Sequence, residues 1–407
     1  MGKAFENVGA FPGAQKWENS ITRMVSLYPR PDEIRSEFTR DFNRILHCTA
    51  YRRLKHKTQV FFATENDHIC TRIEHVSHVS SVSYTIAKEL GLNTELTSAI
   101  AIGHDLGHAP FGHEGERVIK KLGEGVIEDI FWHEKNSLWF VDKIETLPDP
   151  VGNENNLDLT YAVRDGIICH CGEINENSLR PRNDTINLSE IKRPNQFSPY
   201  TWEGCVVKIA DKISYLGRDI EDAMTLKILD RRQIKELVKI IKTVTNIDAK
   251  EVNNTFLMHH FILDLCRCSN PIDGICFSDK YLKFIDLIKN FNYKNIYLHK
   301  RLNYYKRYAA VVIESIYDFL LSCYKGESTY SQINSIIMTQ PYLSGTFSEW
   351  LLKYSDSNIE LRNNRKYCNQ VIYVMKSKEA YVRAILDYIS GMSDNFAIKC
   401  FHEVMSF

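Results

Sequence analysis

The stretch Gly103-His104-Asp105-Leu106-Gly107-His108-Ala109-Pro110-Phe111-Gly112-His113-Glu114-Gly115-Glu116 determines how the rest of this chain is interpreted. It places three histidines and three acidic residues within fourteen positions. A solvated surface needs neither the aromatic Phe111 nor repeated glycines, and a packed core excludes charged groups that have no partner. Metal and phosphate sites, in contrast, combine imidazole with carboxylate. The stretch therefore predicts a metal or phosphate site.

The composition is that of a globular chain without an overall charge bias. Of 407 residues, 44% are hydrophobic and 25% are charged, and Lys+Arg and Asp+Glu both number 51. A dedicated nucleic-acid binder is not indicated, and any anion site must come from the local placement of basic side chains. No apolar run reaches the roughly 18 residues needed to cross a bilayer. The first residues also lack the apolar segment of a secretory signal.

The cysteines indicate a reducing compartment. Their number, eleven, is odd, and they lack the spacing of a disulfide framework. The triplet Cys169-His170-Cys171 has the residue types of a zinc site, but no second pair accompanies it, so a structural zinc is not favoured. The chain is therefore predicted to be cytoplasmic and not membrane-bound.

A strongly apolar helix is predicted over residues 70–90. One face is marked by residues three or four positions apart, the spacing of a buried helix face: Ile73, Val76, Val79, Val82 and Ile86. His75 lies at the inner edge of this face. A histidine there is more often a hydrogen-bonded core residue than a ligand, and only convergence with other ligands reverses that preference.

A second helix is predicted over residues 94–106, immediately before the loop. Gly107 and Pro110 end it, as a glycine and a following proline commonly do. The doublet His104-Asp105 is therefore expected in its last turn, where a metal ion above the helix end can be reached by both side chains.

The residues after the loop offer a pair suited to proton transfer. His113 and Glu116 are three positions apart and share one face if a helix starts there. The acid of such a pair fixes the imidazole tautomer and raises its basicity. Glu114 points away from this face and is expected in solvent, while His133 adds an imidazole from the next helical segment.

A long helix is predicted over residues 205–225, with an apolar face and an acidic face. The apolar face consists of Val206, Ile209, Ile213, Leu216 and Ile220. The acidic face consists of Asp211, Tyr215, Asp219 and Asp222, which stay within about a quarter-turn of each other. Three acids on one face repel unless a cation or hydrogen-bond donors offset them. Because Asp211 directly follows the apolar run 206–210, it is expected to be buried and ligated.

The pattern along the whole chain predicts an all-α protein. Residues 146–160 are expected to form a loop. We divide the chain into an N-terminal arm (1–32) that wraps other elements without forming a core, a helical core (33–230) and a C-terminal helical region (231–407). The C-terminal region is expected to complete the substrate pocket or an oligomer interface. The basic segment 51–61 fits either a solvated helix end or a phosphate-facing edge.

The order His75, His104-Asp105, Asp211 resembles the HD-domain metal phosphohydrolases, which are named for the His-Asp doublet. The likeness is closer to one branch, the deoxyguanosine triphosphate triphosphohydrolases and their relatives that act on several deoxynucleoside triphosphates. The segments that carry it are 35–41, 52–54, 57–61, 71–75, 104–113, 210–219 and 387–394. The resemblance is dense over 35–225 and implies an HD-domain helical core with an additional C-terminal helical region.

The resemblance implies a set of metal ligands. These are His75, His104, Asp105 and Asp211. The expected cofactor is one divalent ion among Mn, Mg, Fe, Co, Ni and Zn. Two imidazoles with two carboxylates suit Mg least, because Mg prefers shells made only of oxygen.

The resemblance also implies groups that handle the phosphates. His113 and Glu116 would manage the proton, and His108 and His133 would line the phosphate pocket beside them. The triphosphate oxygens would be bound by Arg72, Lys212 and Tyr215, because charge-assisted hydrogen bonds suit a ligand with about four negative charges.

The deoxyribose has its own implied contacts. Gln59 and Asp219 match positions that hold the sugar 3′-hydroxyl in the family. An aromatic residue from the C-terminal half would exclude a ribose 2′-hydroxyl, and Tyr304 and Tyr305 are the candidates.

The implied function is hydrolysis of a deoxynucleoside triphosphate to deoxynucleoside and triphosphate, with dGTP as the favoured substrate and a homo-oligomer as the assembly. One alternative is an HD-type phosphodiesterase or nucleotidase that acts on other nucleotides. Another is a regulatory protein that binds single-stranded nucleic acid through residues 52–57, or a nucleotide effector. The extra histidines and Arg72 favour a triphosphate, because a monophosphate needs fewer cationic contacts.

Overall fold

Helices dominate the structure, a computed structural model that describes residues 3–29, 32–62, 66–128, 130–171, 178–245 and 253–405. The helices up to residue 225 are α1 (Trp17–Ser20), α2 (Glu37–His47), α3 (Thr49–Arg53), α4 (Arg72–Leu90), α5 (Thr94–Gly103), α6 (Gly112–Gly123), α7 (His133–Trp139), α8 (Tyr161–Cys169) and α9 (Trp202–Thr225). Those that follow are α10 (Arg231–Thr245), α11 (Asn254–Cys268), α12 (Asp279–Asn292), α13 (Lys300–Ser322), α14 (Thr329–Ser335), α15 (Leu343–Tyr354), α16 (Ile359–Asn364), α17 (Lys378–Ser390) and α18 (Asp394–Met405). The predicted all-α fold is confirmed.

A small hairpin interrupts the helices. Strands β1 (Thr146–Pro148) and β2 (Glu154–Asn156) pair antiparallel, with Thr146 opposite Asn156. They lie within the segment 146–160, which was expected to be a loop throughout. That expectation is wrong for these six residues, whose pairing depends on contacts between strands that are too short to show an alternating pattern.

The apolar face predicted for residues 70–90 is the inner face of α4. Val76, Val79, Val82 and Ile86 are buried, and α4 packs against α5 and α9. Thr71 and Glu74 form a capping box at its start, and Gly91 ends it in the left-handed conformation at φ +86°. Each such buried side chain contributes about 1.5–3 kcal/mol. The packing of α4, α5 and α9 fixes the ends of these helices relative to one another.

Helix α5 is shorter than predicted. It ends at Gly103, so His104 and Asp105 lie in the turn beyond the helix and not in its last turn. The turn is tight because it passes against α7: a Cβ atom on Gly107 would stand 2.1 Å from the backbone nitrogen of Ser137. Glycine is therefore required at position 107 by close backbone approach.

The N-terminal arm takes part in the core. Phe5 is fully buried and packs edge-on against Trp202, with ring centroids 4.9 Å apart. Further along, Arg23 forms an ion pair with the buried Asp41 at 2.5 Å. The arm therefore contributes a buried side chain to the elements that it covers, and an isolated aromatic residue among glycines and prolines gives no periodic signal from which this could be predicted.

The C-terminal half packs onto the core instead of standing apart from it. Helix α13 contacts α6 and α18, and α17 contacts α6. Buried apolar side chains from both halves belong to one connected cluster. The proposed boundary near residue 230 stays a prediction. No helix within the described ranges is long and apolar enough to span a bilayer.

Replacing Phe5 by alanine tests the role of the arm. We expect Phe5→Ala to lower the free energy of unfolding by about 3–5 kcal/mol, the usual cost of removing a buried aromatic side chain. Chemical denaturation measures the change. Val25→Ala, at a position that is 61% exposed, is the control and should leave stability almost unchanged. Equal stability of both variants would show that the arm is not part of the core.

Candidate functional site

A cavity of about 600 Å³ lies where the ends of α4 and α5 meet α9 and the start of α13. It gathers the predicted residues from segments that are far apart in sequence. Those that line it are Gln59, Arg72, His75, Asp105, His108, His113, His133, Asp211, Lys212, Tyr215 and Asp219. The other two, His104 and Glu116, stand directly behind the lining and contact it.

The four predicted metal ligands converge at the inner end of the cavity. The His75 Nε2 atom lies 2.9 Å from Asp211 Oδ1. The His104 Nε2 atom lies 3.7 Å from both Asp211 Oδ1 and Asp105 Oδ2. Helix α4, the turn after α5 and helix α9 each supply part of the group. This convergence reverses the preference for His75 as an ordinary core histidine.

The environment of His104 fits a metal ligand. Its Nδ1–H donates to the Ala101 carbonyl at 2.6 Å, which leaves Nε2 as an acceptor. That nitrogen is buried and has no hydrogen-bond partner within the described residues. A buried polar atom without a partner is costly, and a cation held by His104, His75, Asp105 and Asp211 would satisfy it. The two-nitrogen, two-oxygen donor set is one that transition metals accept.

Both carboxylates of this group are held in the ionised form that a ligand requires. Burial alone would raise the pKa of Asp105, but the Arg72 guanidinium 2.6 Å away and the nearby imidazoles hold it well below its usual range. Burial opposes ionisation of Asp211 as well, and the hydrogen bond from His75 lowers its pKa nonetheless. Asp211 is less enclosed than predicted, with 24% of its side chain exposed.

Glu116 connects two imidazoles of the cavity lining, His113 and His133. Its Oε2 atom lies 3.3 Å from His113 Nδ1 and 3.2 Å from His133 Nδ1. The backbone N–H of His133 also donates to Glu116 Oε1 at 3.0 Å. The predicted pair of His113 and Glu116 is therefore part of a group of three, in which His113 is the exposed member.

The imidazoles of His108 and His133 stack, with centroids 4.2 Å apart. Burial would lower the pKa of His133, but the carboxylates Glu134 and Glu116 outweigh it and raise the pKa to about 10. Burial together with the Arg72 charge lowers the pKa of His108 well below its usual range. One ring is thus a proton donor and its neighbour is neutral, an arrangement suited to a phosphate pocket.

The predicted phosphate ligands have different surroundings. Arg72 lines the cavity but is engaged with Asp105, so it joins the group of predicted metal ligands to the rest of the cavity lining. Lys212 and Tyr215 extend from α9 into the same cavity. Gln59 carries a buried side-chain oxygen that has no partner among the described residues, which leaves it available to a ligand.

Asp219 is buried and accepts a hydrogen bond from the Tyr297 hydroxyl. Burial raises the pKa of Asp219 to about 7, so its carboxyl group can either donate or accept near neutral pH. Of the two tyrosines considered from the C-terminal half, Tyr305 lines the cavity while Tyr304 is 82% exposed. The prediction that Tyr304 could exclude a ribose 2′-hydroxyl is therefore wrong. It precedes Tyr305 by one residue on α13, and this places its side chain in solvent.

Several lining residues were missed by the sequence analysis. His170 stands 4.9 Å from His104, centroid to centroid, and its Nδ1–H donates to the Ile167 carbonyl at 2.6 Å. Like His104, it follows the end of a helix and donates from Nδ1 to the carbonyl three residues earlier. The Cys169-His170-Cys171 triplet, which the sequence analysis did not favour as a zinc site, could have drawn attention to it. The other missed residues with charged or phenolic side chains are Glu114, Arg117, Glu134, Lys208, Tyr297 and Lys306. Glu114, expected in solvent, instead faces the cavity and pairs with Arg117.

The basic segment 51–61 has an exposed part and a part that turns inward, while its contact with phosphate stays a prediction. Arg52, Lys55 and His56 are exposed, as in a solvated helix end. Lys57 is buried, and Gln59 reaches the cavity. The alternation arises because a short 3-10 turn at Leu54–His56 rotates the following residues inward.

Comparison with known proteins gives a consistent result. The HD domain family matches residues 72–216. A deoxyguanosinetriphosphate triphosphohydrolase-like protein of Rickettsia felis is 32% identical over 395 residues, covering 92% of this chain and 93% of that protein. Proteins of the same name from Desulfatibacillum aliphaticivorans (33% identity; 72% of this chain and 75% of the relative) and Caldanaerobacter subterraneus subsp. tengcongensis (40%; 51% and 52%) are also similar.

The coupling of Glu116 to His133 predicts a pH effect. We expect Glu116→Gln to lower the pKa of His133 from about 10, because one of two carboxylates that stabilise its proton is lost. NMR titration of the histidine ring carbons measures this pKa. Glu124→Gln, an exposed change at the end of the same helix, is the control.

The same coupling determines how the free energy of unfolding changes with pH. The folded-state pKa of His133 lies above the unfolded value of about 6.5, so the stabilisation is complete below that pH and is lost as pH rises through about 10. The stability difference between wild type and Glu116→Gln should therefore shrink from neutral pH to pH 10. A wild-type His133 that titrates at its ordinary value would contradict the coupling.

Proposed function

Because the chain belongs to the family of deoxyguanosinetriphosphate triphosphohydrolase-like proteins, we propose that it is a metal-dependent hydrolase of deoxynucleoside triphosphates. The products are deoxynucleoside and intact triphosphate, and dGTP is the favoured substrate. One observation carries the proposal: His75, His104, Asp105 and Asp211 converge at one end of a cavity whose remaining wall is rich in cationic side chains.

The proposed reaction breaks the bond between the sugar 5′-oxygen and the α-phosphorus. Water supplies the oxygen that joins the α-phosphate, and the departing 5′-oxygen takes up a proton. A divalent ion bound to the four ligands would polarise the α-phosphate and lower the pKa of a bound water. Asp105 and Asp211 are ionised before any ion binds, since Arg72 and the imidazoles stabilise their charge.

The proposed proton path runs through the Glu116 group. Glu116 lies within 3.4 Å of both His113 Nδ1 and His133 Nδ1, and the raised pKa of His133 keeps that ring protonated at neutral pH. His133 is thus held between two carboxylates, because its Nε2 atom lies 3.3 Å from Glu134 Oε1, and it would present its positive charge to the phosphates. His113, the exposed member of the group, is positioned to exchange a proton with the leaving oxygen or with solvent.

The proposed phosphate contacts follow from the lining of the cavity. It is lined by more cationic side chains than a monophosphate requires. These side chains are Arg72, Arg117, Lys208, Lys212 and Lys306. Electrostatic stabilisation of a triphosphate needs several donors fixed before the substrate arrives. The arrangement supports a triphosphate substrate over the alternatives, a phosphodiesterase or nucleotidase and a regulatory nucleic-acid-binding protein.

The proposed sugar contacts are Gln59 and Asp219, one with a free acceptor and one with a carboxyl group that titrates near neutral pH. Tyr305 is the proposed barrier to a 2′-hydroxyl. A divalent ion among Mn, Mg, Fe, Co, Ni and Zn, a homo-oligomeric assembly, a nucleotide effector and a cytoplasmic location stay predictions from the sequence.

Product analysis tests the proposed activity. The purified protein with Mn or Mg should convert each accepted deoxynucleoside triphosphate to tripolyphosphate and deoxynucleoside. His104→Ala should remove bound metal and lower kcat at least about 100-fold, since even outer-shell changes cost 10–100-fold. His56→Ala, an exposed histidine, is the control. Release of pyrophosphate or inorganic phosphate without tripolyphosphate would refute the proposal.

Two adjacent tyrosines test the proposed sugar selection. Tyr305→Ala should raise the hydrolysis of ribonucleotides relative to deoxyribonucleotides by about tenfold or more, because steric rejection of one small group is worth about 10–200-fold. Tyr304→Ala changes an exposed neighbour and should leave the ratio unchanged. The ratio of kcat/KM for GTP and dGTP is the measurement. An unchanged ratio in Tyr305→Ala would assign the selection to another residue.

A further inference from the structure

Two buried side chains join the C-terminal helices to the turn between α5 and α6. They are Lys57 and Asp394, neither of which lines the substrate cavity. Both belong to sequence segments that carry the family resemblance, 57–61 and 387–394. The proposed reaction assigns no role to Lys57 or Asp394, and their contacts indicate one.

Asp394 is the first residue of α18 and is 2% exposed. Its Oδ1 atom accepts the backbone N–H of Phe111 at 2.9 Å. Its Oδ2 atom accepts the backbone N–H of Thr58 at 2.9 Å and the Thr58 hydroxyl. Each carboxylate oxygen therefore accepts a backbone N–H, a group that can only donate and so needs an acceptor.

Lys57 is 1% exposed and completes the connection from the other side. Its Nζ atom donates to the carbonyl oxygen of His108 and to that of Ser390, the latter at 2.9 Å. Asn136 adds a parallel link, because its side-chain N–H₂ donates to the Gly107 carbonyl at 2.7 Å and to the Ser390 hydroxyl at 3.1 Å. The end of α17 is thus tied to the turn at two neighbouring residues.

The turn needs such support because of its backbone conformation. Phe111 and Gly112 both adopt left-handed dihedrals, at φ +64° and +62°. A residue with a Cβ atom, such as Phe111, adopts this conformation at a cost and keeps it only where its surroundings enforce it. The two residues set the direction in which α6 begins, and α6 carries His113 and Glu116.

We propose that Asp394 and Lys57 are positioning residues that hold the 108–112 turn in the geometry required for catalysis. Asp394 fixes the backbone at Phe111, and Lys57 fixes it at His108. Together they determine where the imidazole of His108 and the start of α6 lie relative to the cavity. The kinetic part of this inference rests on the proposed triphosphohydrolase function.

The test compares two buried aspartates of the C-terminal helices. Asp394→Asn replaces one acceptor oxygen by an amide N–H₂, which must face the backbone N–H of either Phe111 or Thr58, so Asp394 no longer connects these two groups. We expect kcat to fall about 100-fold, as small displacements of catalytic groups do, with KM and bound metal per chain little changed. The pH profile of kcat should also shift, because the Glu116 group is displaced.

Asp387→Asn is the matched control. Asp387 is also 2% exposed, and it accepts hydrogen bonds from Trp139, Tyr373 and Arg383 but none from the turn. The variant should lose comparable thermal stability and keep kcat. A loss of kcat that is equal in both variants would overturn the inference, because it would reflect general destabilisation.

Hydrogen exchange gives a readout that does not depend on activity. Amides of residues 104–116 should exchange faster in Asp394→Asn and in Lys57→Met than in wild type or Asp387→Asn. Unchanged exchange in this peptide would overturn the inference. If the exchange pattern appears and the wild-type protein hydrolyses no nucleotide, the positioning role stands and the proposed function fails.

Discussion

The buried ion pair between Arg72 and Asp105 is the interaction on which the site depends. The two groups are 2.6 Å apart, with 2% and 4% of their side chains exposed. Removing one member of such a pair leaves an uncompensated buried charge and costs about 3–5 kcal/mol. Arg72 starts α4, and Asp105 follows α5, so the pair also joins the helix that carries His75 to the turn that carries His104. The same ion pair therefore compensates the buried charge of Asp105 and fixes the position of the proposed metal ligands.

The fold and much of the candidate site could be predicted from the sequence, because they depend on patterns that are local. The apolar spacing in α4 and α9 fixed which faces are buried, and the His104-Asp105 doublet indicated the metal end. The role of His75 needed convergence with α9, which spacing cannot show. The resemblance supplied that link, and the structure places the atoms within reach of each other.

The features that could not be predicted depend on the direction of single side chains along a helix and on contacts between residues far apart in sequence. Helix α5 ends before His104 because α7 crosses the turn, and no feature within residues 94–106 reveals that crossing. Tyr304 and Tyr305 differ by one step along α13, yet one is exposed and the other lines the cavity. His170 was present in a recognisable triplet, but only its distance to His104 distinguishes it from a core histidine.

The bond from Asp394 to Phe111 spans 283 positions, and the bond from Lys57 to Ser390 spans 333. A ribosome exposes the ligands at 75, 104, 105 and 211 well before it has added residue 394. During that interval the ligand-bearing helices can pack, while the 108–112 turn still lacks its last hydrogen-bond partners. The order of synthesis thus separates translation of the proposed metal ligands from completion of the hydrogen bonds that hold the turn. Under the proposed function, a nascent chain would become competent for catalysis only when the final helices dock.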